Sequence, residues 1–163
     1  MTSAPVSIRL TSTADTDAFA RRLASRVGPG CVLLLEGPVG AGKTALARAL
    51  IGALRLRASL PPEHVPSPTF TLVQTYDTGP FETWHADLYR LTDPSEVLEL
   101  GLDEAFRDAL CLIEWPDRLG RDRPAGALTL TLAPQPDESR LATLTGPAAL
   151  LARLAPAFAE GSA

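Results

Sequence analysis

A buried-strand pattern, a glycine loop and a helical repeat follow one another without a break between Cys31 and Leu54. This junction constrains the chain more than any other feature. Cys31-Val32-Leu33-Leu34-Leu35-Glu36 is a continuous apolar run closed by an acid, as expected of a parallel strand buried on both faces. Gly37-Pro38-Val39-Gly40-Ala41-Gly42-Lys43-Thr44 comes next and fits the phosphate-binding pattern of spaced glycines followed by Lys and Thr. Leu46, Ala47, Leu50, Ile51 and Leu54 then recur at helical spacing. Glycines let successive amides curl toward an anion, and the helix beginning near Lys43 adds its positive end. Lys43 is the only lysine in the chain, the other fourteen basic side chains being arginine. A need for a compact ammonium that reaches between phosphates explains the exception better than chance survival does. The candidate nucleotide contacts are therefore Gly37, Val39, Gly40, Ala41, Gly42, Lys43, Thr44 and Ala45. Thr44 would place its hydroxyl on Mg²⁺ bridging the outer phosphates. Pro38 removes one amide donor from the early loop.

The 163 residues suit one domain with a sizeable core, expected over residues 1–159, with 160–163 a frayed tail. The expected architecture is α/β, a three-layer α/β/α phosphate-loop fold with a mixed, largely parallel sheet and hairpin strands. A net charge of −4 argues against sequence-independent nucleic-acid binding as the main activity. Cys31 and Cys111 lie in apolar runs and read as buried, reduced thiols. No stretch reaches the length of a membrane span and no basic-then-apolar leader is present, so a cytoplasmic location is expected.

Along the chain, Ser7 to Leu10 reads as a strand. Ser12 or Thr13 caps a helix running to about Val27. Arg57 to Pro68 is a proline-rich connector. Thr69 to Asp77 and Phe81 to Leu88 form an antiparallel hairpin around Gly79-Pro80. Two short helices follow, one opened by Asp93-Pro94-Ser95 and one over Leu102 to Ala109. Leu110 to Ile113 is a second buried strand, closed by Glu114-Trp115-Pro116. Ala127 to Ala133 and Arg140 to Thr145 pair across Pro136-Asp137, and Pro147 starts a last helix with Leu150, Leu151, Leu154 and Phe158 inward.

A phosphate site with a metal needs carboxylates near Thr44, at the end of a strand beside the loop's own strand. Glu114 meets that description and is the candidate metal-side carboxylate; the plain alternative is an acid that reaches solvent at a strand end. Asp87 also ends a strand-like run, suited to positioning water or metal, or else to capping a turn or pairing with Arg90. Alternation puts His85 on the same face, as a hydrogen-bonding neighbour, because Mg²⁺ prefers oxygen. Thr69, in Ser67-Pro68-Thr69, is the candidate hydroxyl that senses the terminal phosphate. Trp115 either packs over the site, faces a partner or belongs to the core.

The Asn-Lys-x-Asp segment of guanine-specific enzymes is impossible in a chain without asparagine, which leaves ATP as the default ligand. A small-molecule kinase with Asp87 as base is a competing class, as is a non-catalytic ATP-dependent binding switch. A kinase needs an arginine-rich lid, and Arg118, Arg121 and Arg123 read instead as a solvated basic turn. Gly37 to Thr44, Ser67-Pro68-Thr69-Phe70-Thr71-Leu72-Val73, His85-x-Asp87-Leu88-Tyr89-Arg90-Leu91 and Leu112-Ile113-Glu114-Trp115-Pro116 occur in one order and spacing. Together they resemble the bacterial tRNA threonylcarbamoyladenosine biosynthesis ATPase family, from about Thr11 to Pro116. The resemblance implies a Mg²⁺-dependent P-loop ATPase of low activity alone, which drives turnover of a transferase subunit and its companion and meets tRNA only indirectly. It also implies that Lys43 and Thr44 hold phosphates and metal and that Glu114 belongs to the magnesium site. Thr69, Asp87 and Trp115 then match positions tied to ATP turnover, and Ser12 and Thr13 approach the base. Two departures stand out. Pro38-Val39 replaces the usual Asp-Leu, and the turn Pro136-Asp137-Glu138-Ser139-Arg140 lacks the usual Gly-Arg pair, so no base contact is expected from that turn.

Overall fold

A computed structural model describes residues 4–159. The elements in order are β1 (Val6–Leu10), α1 (Thr13–Ala24), β2 (Val32–Glu36), α2 (Lys43–Arg57), β3 (Val73–Asp77) and β4 (Glu82–Asp87). Then come α3 (Glu96–Glu99), α4 (Leu102–Asp108), β5 (Leu110–Glu114) and a 3₁₀ helix over Pro116–Asp122. β6 (Leu128–Pro134), β7 (Arg140–Thr145), α5 (Ala148–Leu154) and a second 3₁₀ turn over Ala155–Phe158 complete the described chain. The strands form one mixed seven-stranded sheet in the order β1-β7-β6-β2-β5-β4-β3. The four inner strands β6, β2, β5 and β4 are parallel. The hairpin strand β3 joins antiparallel to β4, and β7 and β1 extend the other edge antiparallel.

Residue alternation along the inner strands divides the core into two clusters. Leu33, Leu35, Leu112 and Leu130 belong to the cluster that includes Phe19 and Leu23 of α1, Leu46 and Leu50 of α2, and Leu151 of α5. Val32, Leu34, Cys111 and Ile113 belong to the other, with Val97 of α3, Leu102 of α4 and Leu119. Burial of both faces explains why β2 and β5 read as unbroken apolar runs rather than alternating ones. α1 starts where expected: Ser12 Oγ accepts from the Asp15 amide at 3.1 Å, while Asp15 Oδ2 accepts from the Thr11 amide at 2.8 Å.

Several boundaries differ from the sequence reading. α1 ends at Ala24 rather than near Val27. The strand expected from Thr69 begins only at Val73, because Leu72 has φ +67° and its amide turns back to Pro68 O at 2.7 Å. α4 stops at Asp108, since Ala109 is already extended (φ −127°, ψ 169°) as the chain enters β5. The basic turn holding Arg118, Arg121 and Arg123 lies on and just after the first 3₁₀ helix, all three side chains exposed. Leu150 is only partly buried, whereas Leu151, Leu154 and Phe158 are buried as expected. The tail 160–163, expected to fray, lies outside the described residues. Among the described residues no helix is long and apolar enough to cross a membrane.

Cys111 is buried and Cys31 partly so, and neither is in a disulfide. Burial pushes the Cys111 thiol up to about 12 and the Cys31 thiol up to about 11. An unfolded thiol titrates near ~8.5, so the unfolded chain releases protons first as pH rises. Stability is therefore expected to fall between about pH 8.5 and the folded values. At pH 8 both thiols should react with an aromatic disulfide reagent far more slowly in native protein than in denaturant. Equal rates in the two states would contradict this burial.

Candidate functional site

The parallel register of β4 and β5 pairs Asp87 with Glu114, and that of β2 and β5 pairs Leu35 with Glu114. Two carboxylates thus stand side by side at the carboxyl ends of strands, next to the end of the strand that feeds the glycine loop. Each is almost wholly withdrawn from water, Asp87 being 4% and Glu114 2% exposed. Such burial is sustained only with partners, and both have them. Thr44, in the first turn of α2, donates its hydroxyl toward both Glu114 oxygens at 2.9 Å. His85 Nε2 lies 2.6 Å from Glu114 Oε2, which makes His85 the hydrogen-bonding neighbour that alternation suggested. Thr69 donates to Asp87 Oδ2 at 3.1 Å, and the Tyr89 amide donates to Asp87 Oδ1 at 2.9 Å. Asp87 therefore caps a turn and holds Thr69 at once. Arg90 stacks over the Phe70 ring, 4.6 Å from its centre, rather than pairing with Asp87.

Lys43 is drawn inward to 6% exposure. Its ammonium donates to the carbonyl of Gly37 and, at 3.2 Å, to that of Pro38. It also sits 4.1 Å from the centre of the Trp115 ring. Burial holds the ammonium pKa below the usual lysine value, while Glu114 and Asp87 draw it back up. Trp115 reaches this position because it leaves β5 in the left-handed region (φ 57°, ψ 54°), turning its ring over the loop and against Tyr89, 4.9 Å away.

Two glycines of the loop have no substitute. Gly42 begins α2 at φ +99° and leaves that helix end without a side-chain cap, so its amides stay available to an anion. Gly37, at φ +150°, lies so close to β6 that a Cβ would stand 2.6 Å from the Leu132 carbonyl oxygen. Val39, at the tip, is 82% exposed.

Lys43, Thr44, Thr69, Asp87, Glu114 and Trp115 line one cavity of about 410 Å³, together with Val39, Gly40, Ala41, Gly42 and Ala45. Gly37 does not line it but holds Lys43 from behind. Ser12 and Thr13 lie elsewhere, in a second cavity of about 460 Å³ that shares Gly42 and Ala45 with the first. Sequence reasoning missed Tyr89 and Arg140. Tyr89 follows Asp87 by two residues and lines the first cavity, whereas Arg140 lines the second. The former was signalled by strand alternation running past Asp87. The latter depends on a strand pairing that no local pattern reveals. Among the described residues no group of three His, Cys, Asp or Glu side chains could hold a metal. Any metal here would rest on Glu114 and the Thr44 hydroxyl.

Fold and site together define a mixed α/β protein whose glycine loop faces two buried strand-end carboxylates. The chain belongs to the TsaE family: the family model described as threonylcarbamoyl adenosine biosynthesis protein TsaE matches residues 10–142. It is 38% identical over 136 residues to the tRNA threonylcarbamoyladenosine biosynthesis protein TsaE of Rickettsia bellii, covering 83% of this chain and 92% of that one. The TsaE of Bacillus subtilis is 36% identical over 132 residues, covering 80% of this chain and 79% of the relative. Among solved structures, the crystal structure of Bacillus subtilis YdiB superposes with a TM-score of 0.77 at 28% identity, covering 96% of this chain and 97% of that one.

Replacing Gly37 by Ala would force a side chain into the Leu132 carbonyl at a left-handed φ. A loss of about 1–3 kcal/mol is expected, read as a lower calorimetric melting temperature. An unchanged melting temperature would show that β2 and β6 do not approach as closely as described.

Proposed function

We propose that this TsaE-family protein binds and hydrolyses ATP and so drives turnover of a partner transferase complex that threonylcarbamoylates the adenosine beside the tRNA anticodon. In this reading the fold is a three-layer P-loop NTPase, the partners are a transferase subunit and its companion, and the protein works in the cytoplasm. The observation that carries it is the meeting of Thr44 with both oxygens of Glu114 in the cavity that also holds Lys43 and the Thr69–Asp87 pair.

The donor set suits a small hard cation, since Glu114 and the Thr44 hydroxyl offer oxygen and His85 is already committed to Glu114. Magnesium bound there would supply positive charge against the outer phosphates. Lys43 would let go of the loop carbonyls to reach phosphate oxygens, with the free amides at the head of α2 binding others. Glu114 stands on the metal side because Thr44 and His85 hold its carboxylate. Asp87, held by Thr69 and the Tyr89 amide, is left to orient the attacking water. Trp115 and Tyr89 shield one wall from solvent. The isolated chain should turn over slowly, because P-loop proteins often need a group from a partner to complete the site.

Calorimetric titration and single-turnover hydrolysis test this reading. Lys43→Ala should lower ATP affinity by at least about tenfold, and Glu114→Ala should weaken the magnesium dependence of hydrolysis while ATP still binds. Undiminished hydrolysis by Lys43→Ala would overturn the assignment. If Glu114→Ala bound ATP without hydrolysing it and still supported repeated modification cycles, the protein would be a binding switch and not a working ATPase.

A further inference from the structure

Arg140, a cation beside the glycine loop, takes no part in the chemistry just described. It opens β7, paired with Leu10 of β1 on one side and Pro134 of β6 on the other. The turn before it is fixed from within. Ser139 Oγ donates to Asp137 Oδ1 at 2.5 Å, and Arg9 Nη1 reaches Ser139 Oγ at 3.0 Å and Asp137 Oδ2 at 3.3 Å. From this anchored start the Arg140 side chain crosses the face of Gly42. A Cβ built on Gly42 would stand 3.0 Å from Arg140 Nε and 3.3 Å from its Cδ. The bare α-carbon of Gly42 therefore admits the guanidinium as well as permitting the loop's own backbone angle.

The guanidinium is poorly satisfied. Its Nη2 lies 3.5 Å from the Gly40 carbonyl, at the limit of a hydrogen bond, and its Nε is buried without a partner. Among the described residues no carboxylate pairs with it, whereas buried Arg55 holds Glu63 at 3.1 Å and donates to the Pro61 and Asp77 carbonyls. Drawing a charged donor from water without a counter-charge is costly unless an anion meets it in function. Arg140 also lines the 460 Å³ cavity, which joins the Lys43 cavity at Gly42 and Ala45. A ligand gripped at Lys43 and extending past Gly42 would come within reach of Arg140.

We propose that Arg140 is a second cationic contact for the nucleotide, donating to the phosphate oxygens nearest the sugar as the ligand leaves the Lys43 cavity. This rests on the nucleotide-binding reading above. Its plain rival is a brace, in which Arg140 merely props the loop through Gly40. A charged hydrogen bond lost from a half-buried site lowers affinity by roughly tenfold or more.

The test compares wild type with Arg140→Ala. Titration calorimetry follows ADP and adenosine, and hydrogen–deuterium exchange follows amides 37–44 in ligand-free protein. The proposal expects ADP affinity to fall about tenfold, adenosine affinity to stay the same, and loop exchange in the free protein to stay at the wild-type rate. Equal ADP affinity in the two proteins would overturn it, as would an equal loss for adenosine. Faster loop exchange in free Arg140→Ala would make Arg140 a brace and overturn it too. If wild type itself takes up no ADP, the nucleotide-binding reading fails along with this one. If only the variant's expected loss is missing, that reading stands and this one falls.

Discussion

The hydrogen bonds from Thr44 to Glu114 join the two halves of the site. Thr44 belongs to the first turn of α2 and Glu114 to the end of β5, seventy positions apart in sequence. Without that contact, a buried carboxylate would keep only His85 as partner, and the glycine loop would lose its tie to the acidic strand ends. Because both groups are almost dry, the bond is electrostatically strong and its loss would be expensive. Lys43 sits beside it, turned back onto its own loop and the Trp115 face, so every charged group of the cavity already has a partner. The site is assembled before any ligand arrives, and a ligand must exchange these contacts for its own.

That assembly follows from the order of the strands. Placing β2 between β5 and β6 puts the glycine loop next to Glu114 on one side and Leu132 on the other. Placing β4 beyond β5 brings Asp87 and His85 onto the face where α2 packs. The antiparallel pair β7 and β1 then carries Arg140 and the Ser12 end of α1 to the far side of Gly42. Each face of the loop thus meets a different part of the chain, one acidic and buried, the other holding a cation without a carboxylate.

Much of this was legible in the sequence because it is local. The apolar run before Gly37, the helical repeat after Thr44 and the acid closing Leu110 to Ile113 each encode one element and its end. Period-two alternation was enough to put His85 beside Asp87. What was not legible depends on backbone angles or distant pairing. Nothing in the residue names shows that Leu72 adopts φ +67° and delays β3, or that Trp115 turns at φ 57° to meet Lys43. Arg140 was passed over because its turn departs from the family pattern. Its position is set by Leu10, 130 residues earlier, through a pairing that only the folded sheet creates.

A double-mutant cycle on folding stability tests the Thr44–Glu114 contact most directly, using Thr44→Val, Glu114→Gln and the pair, each unfolded in denaturant. If the hydroxyl and the carboxylate hold each other as described, the single losses should overlap, giving a coupling of about 1 kcal/mol or more. Losses that add independently, to within about 0.3 kcal/mol, would contradict the account.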